Sequence, residues 1–194
     1  MKALVSHGPN QPFSLETVDD PKPNKGEAVA KVLACGAGLT VQHVKAGRTP
    51  IPFPRIMGHE IAAEIVEVNG ECGDLTVGMP VTAYFYLTCG YCKWCLTNRQ
   101  TLCKNFGGYV GRACDGGYAE YIKLPAKNFI PIPKKLDIYK NPAEIGVICD
   151  AIATPYKVLR RGRIAPLERV AVFGAGGGLG IQMLKMVRWA NCHS

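Results

Sequence analysis

The sequence predicts a mixed fold in two parts, a β-rich barrel-like first domain over residues 1–150 and an incomplete α/β unit over residues 151–194. Three observations predict it. Short Val- and Ile-rich apolar runs, broken by Pro and Gly, fill the first ~140 residues, a strand pattern. The character changes at Asn141-Pro142, where a cap residue and a first-turn proline open a longer apolar-periodic segment. A glycine-rich run then separates an apolar strand from a helix.

In chain order, strands are expected over residues 2–6, 27–34, 61–68, 80–84 and 118–124, with turn clusters such as Asp19-Asp20-Pro21-Lys22-Pro23-Asn24 between them. A helix is expected from Asn141-Pro142 to about Arg161, with Pro155 as its breaking point. Val170-Ala171-Val172-Phe173 reads as a buried strand and residues 181–189 as a helix. Between them lies Gly174-Ala175-Gly176-Gly177-Gly178-Leu179-Gly180. Strand, glycine turn and helix open a dinucleotide-binding unit, in which Gly174, Gly176, Gly177, Gly178, Leu179 and Gly180 let backbone N–H groups approach a pyrophosphate. The acidic residue that would bind the ribose is expected ~20 residues further on. The chain ends at Ser194 before reaching it, so the sequence reads as the front part of a longer protein and is expected to be inactive alone.

Composition excludes several classes. With 47% hydrophobic and 20% charged residues the chain can bury a core and is neither disordered nor coiled-coil. No run approaches the ~18 apolar residues of a membrane span, and residues 1–7 lack a signal-peptide core, so a soluble cytoplasmic protein is expected. The formal charge is +8, but the basic residues are scattered. The densest patch, Lys157, Arg160, Arg161 and Arg163, reads as a solvated helix end, so no nucleic-acid partner is expected.

Nine cysteines without a secretory signal point to metal or catalytic thiols. Cys89, Cys92, Cys95 and Cys103 form C-x2-C-x2-C-x7-C, the pattern of a closed tetrahedral thiolate site. Zinc accepts four thiolates, and with no open position such a site is structural. The rival is an iron–sulfur cluster, whose bacterial spacing also begins with x2 steps but ends x3-Cys-Pro; colour separates the two. The remaining cysteines read as small buried residues.

Taken in order, Thr40-x-x-His43, Gly58-His59-Glu60, the four-cysteine lobe, Asp115-Gly116-Gly117-Tyr118-Ala119-Glu120-Tyr121 and the glycine run resemble the zinc-containing medium-chain alcohol and polyol dehydrogenases over essentially the whole chain. The resemblance implies a GroES-like catalytic domain, a Rossmann domain after it, NAD or NADP as cofactor, and hydride transfer between the nicotinamide and an alcohol or carbonyl. It implies a homo-oligomer for the full-length form. In that family Thr40 and His43 would relay the alcohol proton, the bland alternative being a helix-capping threonine and a surface histidine. The family's catalytic zinc takes three protein ligands. Carried over, these positions fall on Gly38, His59 and Asp150, with Glu60 beside the second. Gly38 has no donor, and Val41 stands where the family usually has an acid. Two alternatives stand: a carboxylate and histidine site of His59, Glu60 and Asp150, or no catalytic metal. The corresponding functions are an alcohol dehydrogenase, a metal-free quinone or enoyl reductase, and a non-catalytic zinc-stabilised binding or structural protein.

Overall fold

Alternating inward and outward residues build the first strand. In the computed structural model, which describes residues 1–192, β1 (Lys2–Ser6) turns Ala3 and Val5 inward and leaves Leu4 outside. It pairs antiparallel with β2 (Ser14–Thr17), Leu4 opposite Leu15. A second, larger sheet begins with β3 (Glu27–Cys35). The helix α1 (Leu39–Lys45) follows, burying Val41 and Val44 against Met57, Phe13 and Phe53. The two-residue β4 (Arg55–Ile56) returns to β1 and completes a three-stranded sheet of order β2-β1-β4.

The larger sheet continues with β5 (Ile61–Asn69) and β6 (Pro80–Ala83). A lobe containing the short α2 (Lys93–Leu96) follows, and then β7 (Tyr121–Pro125) and β8 (Phe129–Pro131). Its order is β7-β3-β5-β6-β8, all neighbours antiparallel. Its core holds Ile61, Ile65, Val81, Val110 and Leu124, each almost fully buried. Two register shifts in β3, at Val29/Ala30 and Val32/Ala34, bend that strand against β5.

The expected strand 118–124 is divided. Residues 118–120 bond to β1, with Leu4 N–H donating to Tyr118 O at 2.8 Å and Glu120 N–H to Lys2 O at 3.1 Å, while the residues of β7 bond to β3. One segment therefore ties both sheets together. Both sheets remain open, since among the described residues no ladder joins β7 to β8, and closure into a barrel is incomplete.

Contacts divide the chain into a unit Met1–Gly146 and a second unit from Val147 onward. The expected helix to Arg161 is two helices, α3 (Pro142–Gly146) in the first unit and α4 (Ala153–Arg161) in the second. The break falls at the 3-10 turn Val147–Cys149 and the residues after it, and Pro155 is not its cause. Pro155 is the third residue of α4, where its missing N–H would have had no intrahelical partner.

The reading of residues 170–173 as a buried strand is corrected. No strand forms there, and Phe173 is 96% exposed. A parallel strand is held by neighbours, and among the described residues this segment has no ladder. The glycine run does lead into a helix, α5 (Gly178–Trp189), which starts three residues before the expected position. Gly174 is left-handed at φ 73°, and a Cβ on Gly180 would stand 2.1 Å from its carbonyl oxygen. The turn thus packs directly on the first turn of α5, and only glycines permit that approach. Among the described residues no helix is long and apolar enough to cross a membrane.

Candidate metal centre and active-site residues

The lobe assembles its four thiols within fifteen residues. Gly90, at φ 84°, turns the chain after Cys89; Cys92 is the N-cap of α2, and Cys95 lies within that helix. A 3-10 turn, Gln100–Leu102, brings Cys103 back. Sulfur separations are 3.5 Å for Cys89–Cys103, 3.6 Å for Cys92–Cys95 and 3.9 Å for Cys89–Cys95, and all four sulfurs lie within 4.8 Å of one another. Zn–S bonds of about 2.3 Å place the sulfurs of a tetrahedron about 3.8 Å apart, so the thiols fit one zinc ion and leave no room for a multi-iron cluster. Backbone N–H groups already point at sulfur, Cys89 N to Cys103 Sγ at 3.3 Å and Cys92 N to Cys89 Sγ at 3.4 Å. N–H donors of Lys104 and Cys95 bring the Cys92 thiol down to about 6, whereas burial pushes Cys95 up to about 11. Lys93 Nζ lies 4.7 Å from the Trp94 ring centroid, keeping cationic charge beside the cluster. With four thiolates and no open position, the centre is structural.

His59 and Glu60 sit where Gly58 delivers the chain into β5. Gly58 has φ 93°, and a Cβ there would meet both Cys35 Sγ and Tyr118 Cδ1 at 2.6 Å. The crossing is fixed by Gly117 N–H donating to Gly58 O at 3.0 Å and Tyr118 N–H to Met57 O at 2.9 Å. Cys35 is thereby a packed core thiol, pushed up to about 12 by burial. Tyr118, likewise raised to about 12 by burial, donates its hydroxyl to Gly36 O at 3.1 Å.

Both chemical residues are buried, His59 at 7% and Glu60 at 6% exposure. The His59 ring lies 5.0 Å from that of Phe85, centroid to centroid. The Glu60 carboxylate lies against glycine backbone: a Cβ at Gly38 would stand 3.3 Å from Glu60 Oε2. Gly38 has no side chain with which to offer a ligand, and one added there would press on the tip of Glu60. His59 and Glu60 offer an imidazole and a carboxylate, while among the described residues only the four cysteines bring three or more metal-ligand atoms together. Phe85 had no signal in the sequence, because an aromatic within Tyr84-Phe85-Tyr86 reads as ordinary strand-end packing.

Thr40 and His43 share one side of α1 at i,i+3 spacing, with Val41 and Val44 buried. Thr40 is not a capping threonine: the N-cap is Gly38, and no side chain caps the helix. Arg48 Nη1 lies 3.3 Å from His43 Nδ1. Asp150 belongs to the second unit, where Thr154 Oγ1 donates to its Oδ1 at 3.1 Å. In the same unit the run Gly174, Gly176, Gly177, Gly178, Leu179 and Gly180 ends in the first N–H groups of α5, which have no intrahelical partner.

Residues 24–134 match the alcohol dehydrogenase GroES-like domain family. The chain belongs to the medium-chain zinc alcohol dehydrogenase family. An alcohol dehydrogenase of Geobacillus stearothermophilus is 39% identical over 91% of this chain and 52% of its own length. An acryloyl-coenzyme A reductase of Sulfurisphaera tokodaii is 32% identical over 97% of this chain and 55% of its own. The solved structure of a cobalt- and zinc-bound thermostable alcohol dehydrogenase from Pyrobaculum aerophilum superposes with a TM-score of 0.90 at 31% identity, covering 99% of this chain and 57% of that one. The chain spans about half the length of the alcohol dehydrogenase relatives it matches.

Proposed function

We propose that the protein supplies the substrate-handling part of an NAD(P)-dependent oxidoreductase that moves hydride between a nicotinamide and a small alcohol, polyol, aldehyde or ketone. The observation that carries the reading is the burial of an adjacent imidazole and carboxylate, His59 and Glu60, in a family of dehydrogenases. Burying such groups costs free energy that packing alone does not repay, a mark of chemical use. Thr40 takes the proton of the alcohol and His43 carries it onward, the shared side of α1 supporting that relay. A divalent ion held by His59 and Glu60 would polarise the substrate oxygen. Gly174, Gly176, Gly177, Gly178, Leu179 and Gly180 bind the pyrophosphate through backbone N–H groups at the start of α5. Assembly as a homo-oligomer and a cytoplasmic location belong to the same reading.

The test, made on the full-length form, is transfer of deuterium from a 4-deuterated reduced nicotinamide to the carbonyl carbon of aldehydes and ketones. Transfer that falls on Thr40→Ala substitution is the expected result; no transfer to any carbonyl overturns the reading. A second reading, reduction of an activated carbon–carbon double bond, is favoured by the bare Gly38 and by the similarity to an acryloyl-coenzyme A reductase. In that case deuterium appears at the β-carbon of an enoyl thioester. Absence of label from both product classes leaves a zinc-stabilised binding protein.

A further inference from the structure

The ladder between β6 and β8 ends with Ala83 opposite Phe129. One step further on, Tyr84 N–H still donates to Asn128 O at 2.7 Å. There the partner backbone turns away into the 3-10 turn Ala126–Asn128, and a side chain continues the pairing in its place. Asn128 Nδ2 donates to Tyr84 O at 2.6 Å and to Tyr86 O at 3.0 Å. Carbonyls can only accept, so the amide has to turn its NH2 group toward them. Asn128 is 2% exposed, and its Oδ1 is buried without a hydrogen-bond partner. An orphaned acceptor in the interior costs free energy. An asparagine kept there at that cost is kept for its donors.

The two bonds fall on the residues that flank Phe85, whose own carbonyl accepts from Val110 N–H at 3.0 Å. The Phe85 ring lies 5.0 Å from that of His59. We propose that Asn128 is a positioning residue: by clamping the backbone on both sides of Phe85 it keeps that ring on His59 and sets how bulky a molecule can reach the imidazole. Loss of the amide removes both side-chain bonds from residues 84–86, and leaves them to the Val110 bond and the bridge between Tyr86 and Tyr109. The size limit rests on the oxidoreductase reading; the position of the ring does not.

The zinc-loaded chain is labelled with carbon-13 histidine, and the ring carbon–proton signals are followed by NMR. The His59 signal is assigned by its loss in His59→Gln, and Phe85→Leu gives its position with no aromatic ring beside it. Asn128→Ala should move the His59 signal most of the way to the Phe85→Leu position and leave those of His7 and His43 in place. Lost stability alone does not produce that change in native geometry. Asn128→Asp, which keeps the shape and loses both donors, replaces the alanine variant if that one does not fold. In the wild type the Asn128 amide protons should exchange with solvent at least about tenfold more slowly than those of the exposed Asn98. In the full-length form, kcat/KM for a benzylic aldehyde relative to a two-carbon aldehyde should rise about tenfold in Asn128→Ala. The proposal is overturned if the His59 signal stays at its wild-type position, if the Asn128 amide exchanges as fast as that of Asn98, or if the signal moves and the substrate ratio does not rise. A moved signal in a protein that turns over no carbonyl or enoyl substrate sinks the oxidoreductase reading and leaves the clamp standing.

Discussion

The cysteine lobe and the His59–Glu60 pocket are built by opposite means. In the lobe the chemistry lies in consecutive turns of chain, and backbone N–H groups of the same segment aim at its sulfurs. In the pocket two adjacent side chains depend on distant segments: Gly36 and Gly38 lie against the Glu60 carboxylate, and Gly117 and Tyr118 hydrogen-bond the crossing at Gly58 and Met57 that delivers His59 and Glu60. The lobe depends on which side chains are present. The pocket depends as much on which are missing.

The largest effect that would test this contrast is removal of the lobe's metal. Cys92→Ser, or a strong chelator, should take zinc from about one per chain to near zero and unfold the lobe, because structural zinc contributes about 10–16 kcal/mol in small thiolate sites. The two sheets should survive, visible as retained β-signal in circular dichroism; collapse of the whole first unit would show that lobe and sheets are one cooperative structure.

Next in size is the loss of the relay hydroxyl. Thr40→Ala should lower hydride transfer by about 10²- to 10⁴-fold, the range for a positioned proton-transfer group, while zinc content and melting temperature stay at wild-type values. An unchanged rate would return Thr40 to the role of a surface helix residue.

Gly58→Ala reaches the pocket through its backbone. A left-handed alanine with contacts at 2.6 Å to Cys35 and Tyr118 should cost about 3 kcal/mol, lowering the melting temperature by roughly 6–12 °C with zinc retained. Thermal unfolding followed alongside zinc release checks both halves of that statement.

The smallest effect lies far from either centre. The His7 ring, with its Nε2 2.5 Å from Glu16 Oε1, and the Ser14 hydroxyl hold the Glu16 carboxyl below its ordinary value of 4.5. A depressed folded value means that this pair stabilises above the unfolded value and loses that contribution as pH falls through the folded one. Because Glu16 is partly open to solvent, only a slight acid-side change is expected. A carbon NMR titration should give a lower midpoint for Glu16 in the wild type than in His7→Ala.

What could be read in the sequence follows the same division. Spacing alone identified the lobe, since its geometry is local. Strands 2–6, 27–34 and 61–68 were legible because they carry apolar side chains on a buried face. Short β2, β4 and β8 were not, having too few residues for any period to register. Val170–Phe173 looked like a strand because apolar β-branched residues report a preference, whereas a strand exists only with a partner. In the pocket, His59 and Glu60 stood out as a motif, but the fit of Glu60 into the space at Gly36 and Gly38 had no linear signal. A glycine in sequence does not disclose which side chain fills the room it leaves.

The crossing at Gly58 also orders events in time. The bond from Gly117 to Gly58 closes a loop of about sixty residues, against fourteen between Cys89 and Cys103. That is roughly two doublings of length, or about 1.2 kcal/mol of additional closure entropy. During synthesis the ribosome delivers all four cysteines before Gly117 and Tyr118 exist. The lobe can capture its ion while the pocket still lacks one wall, and that wall is then laid against a chain already pinned by metal.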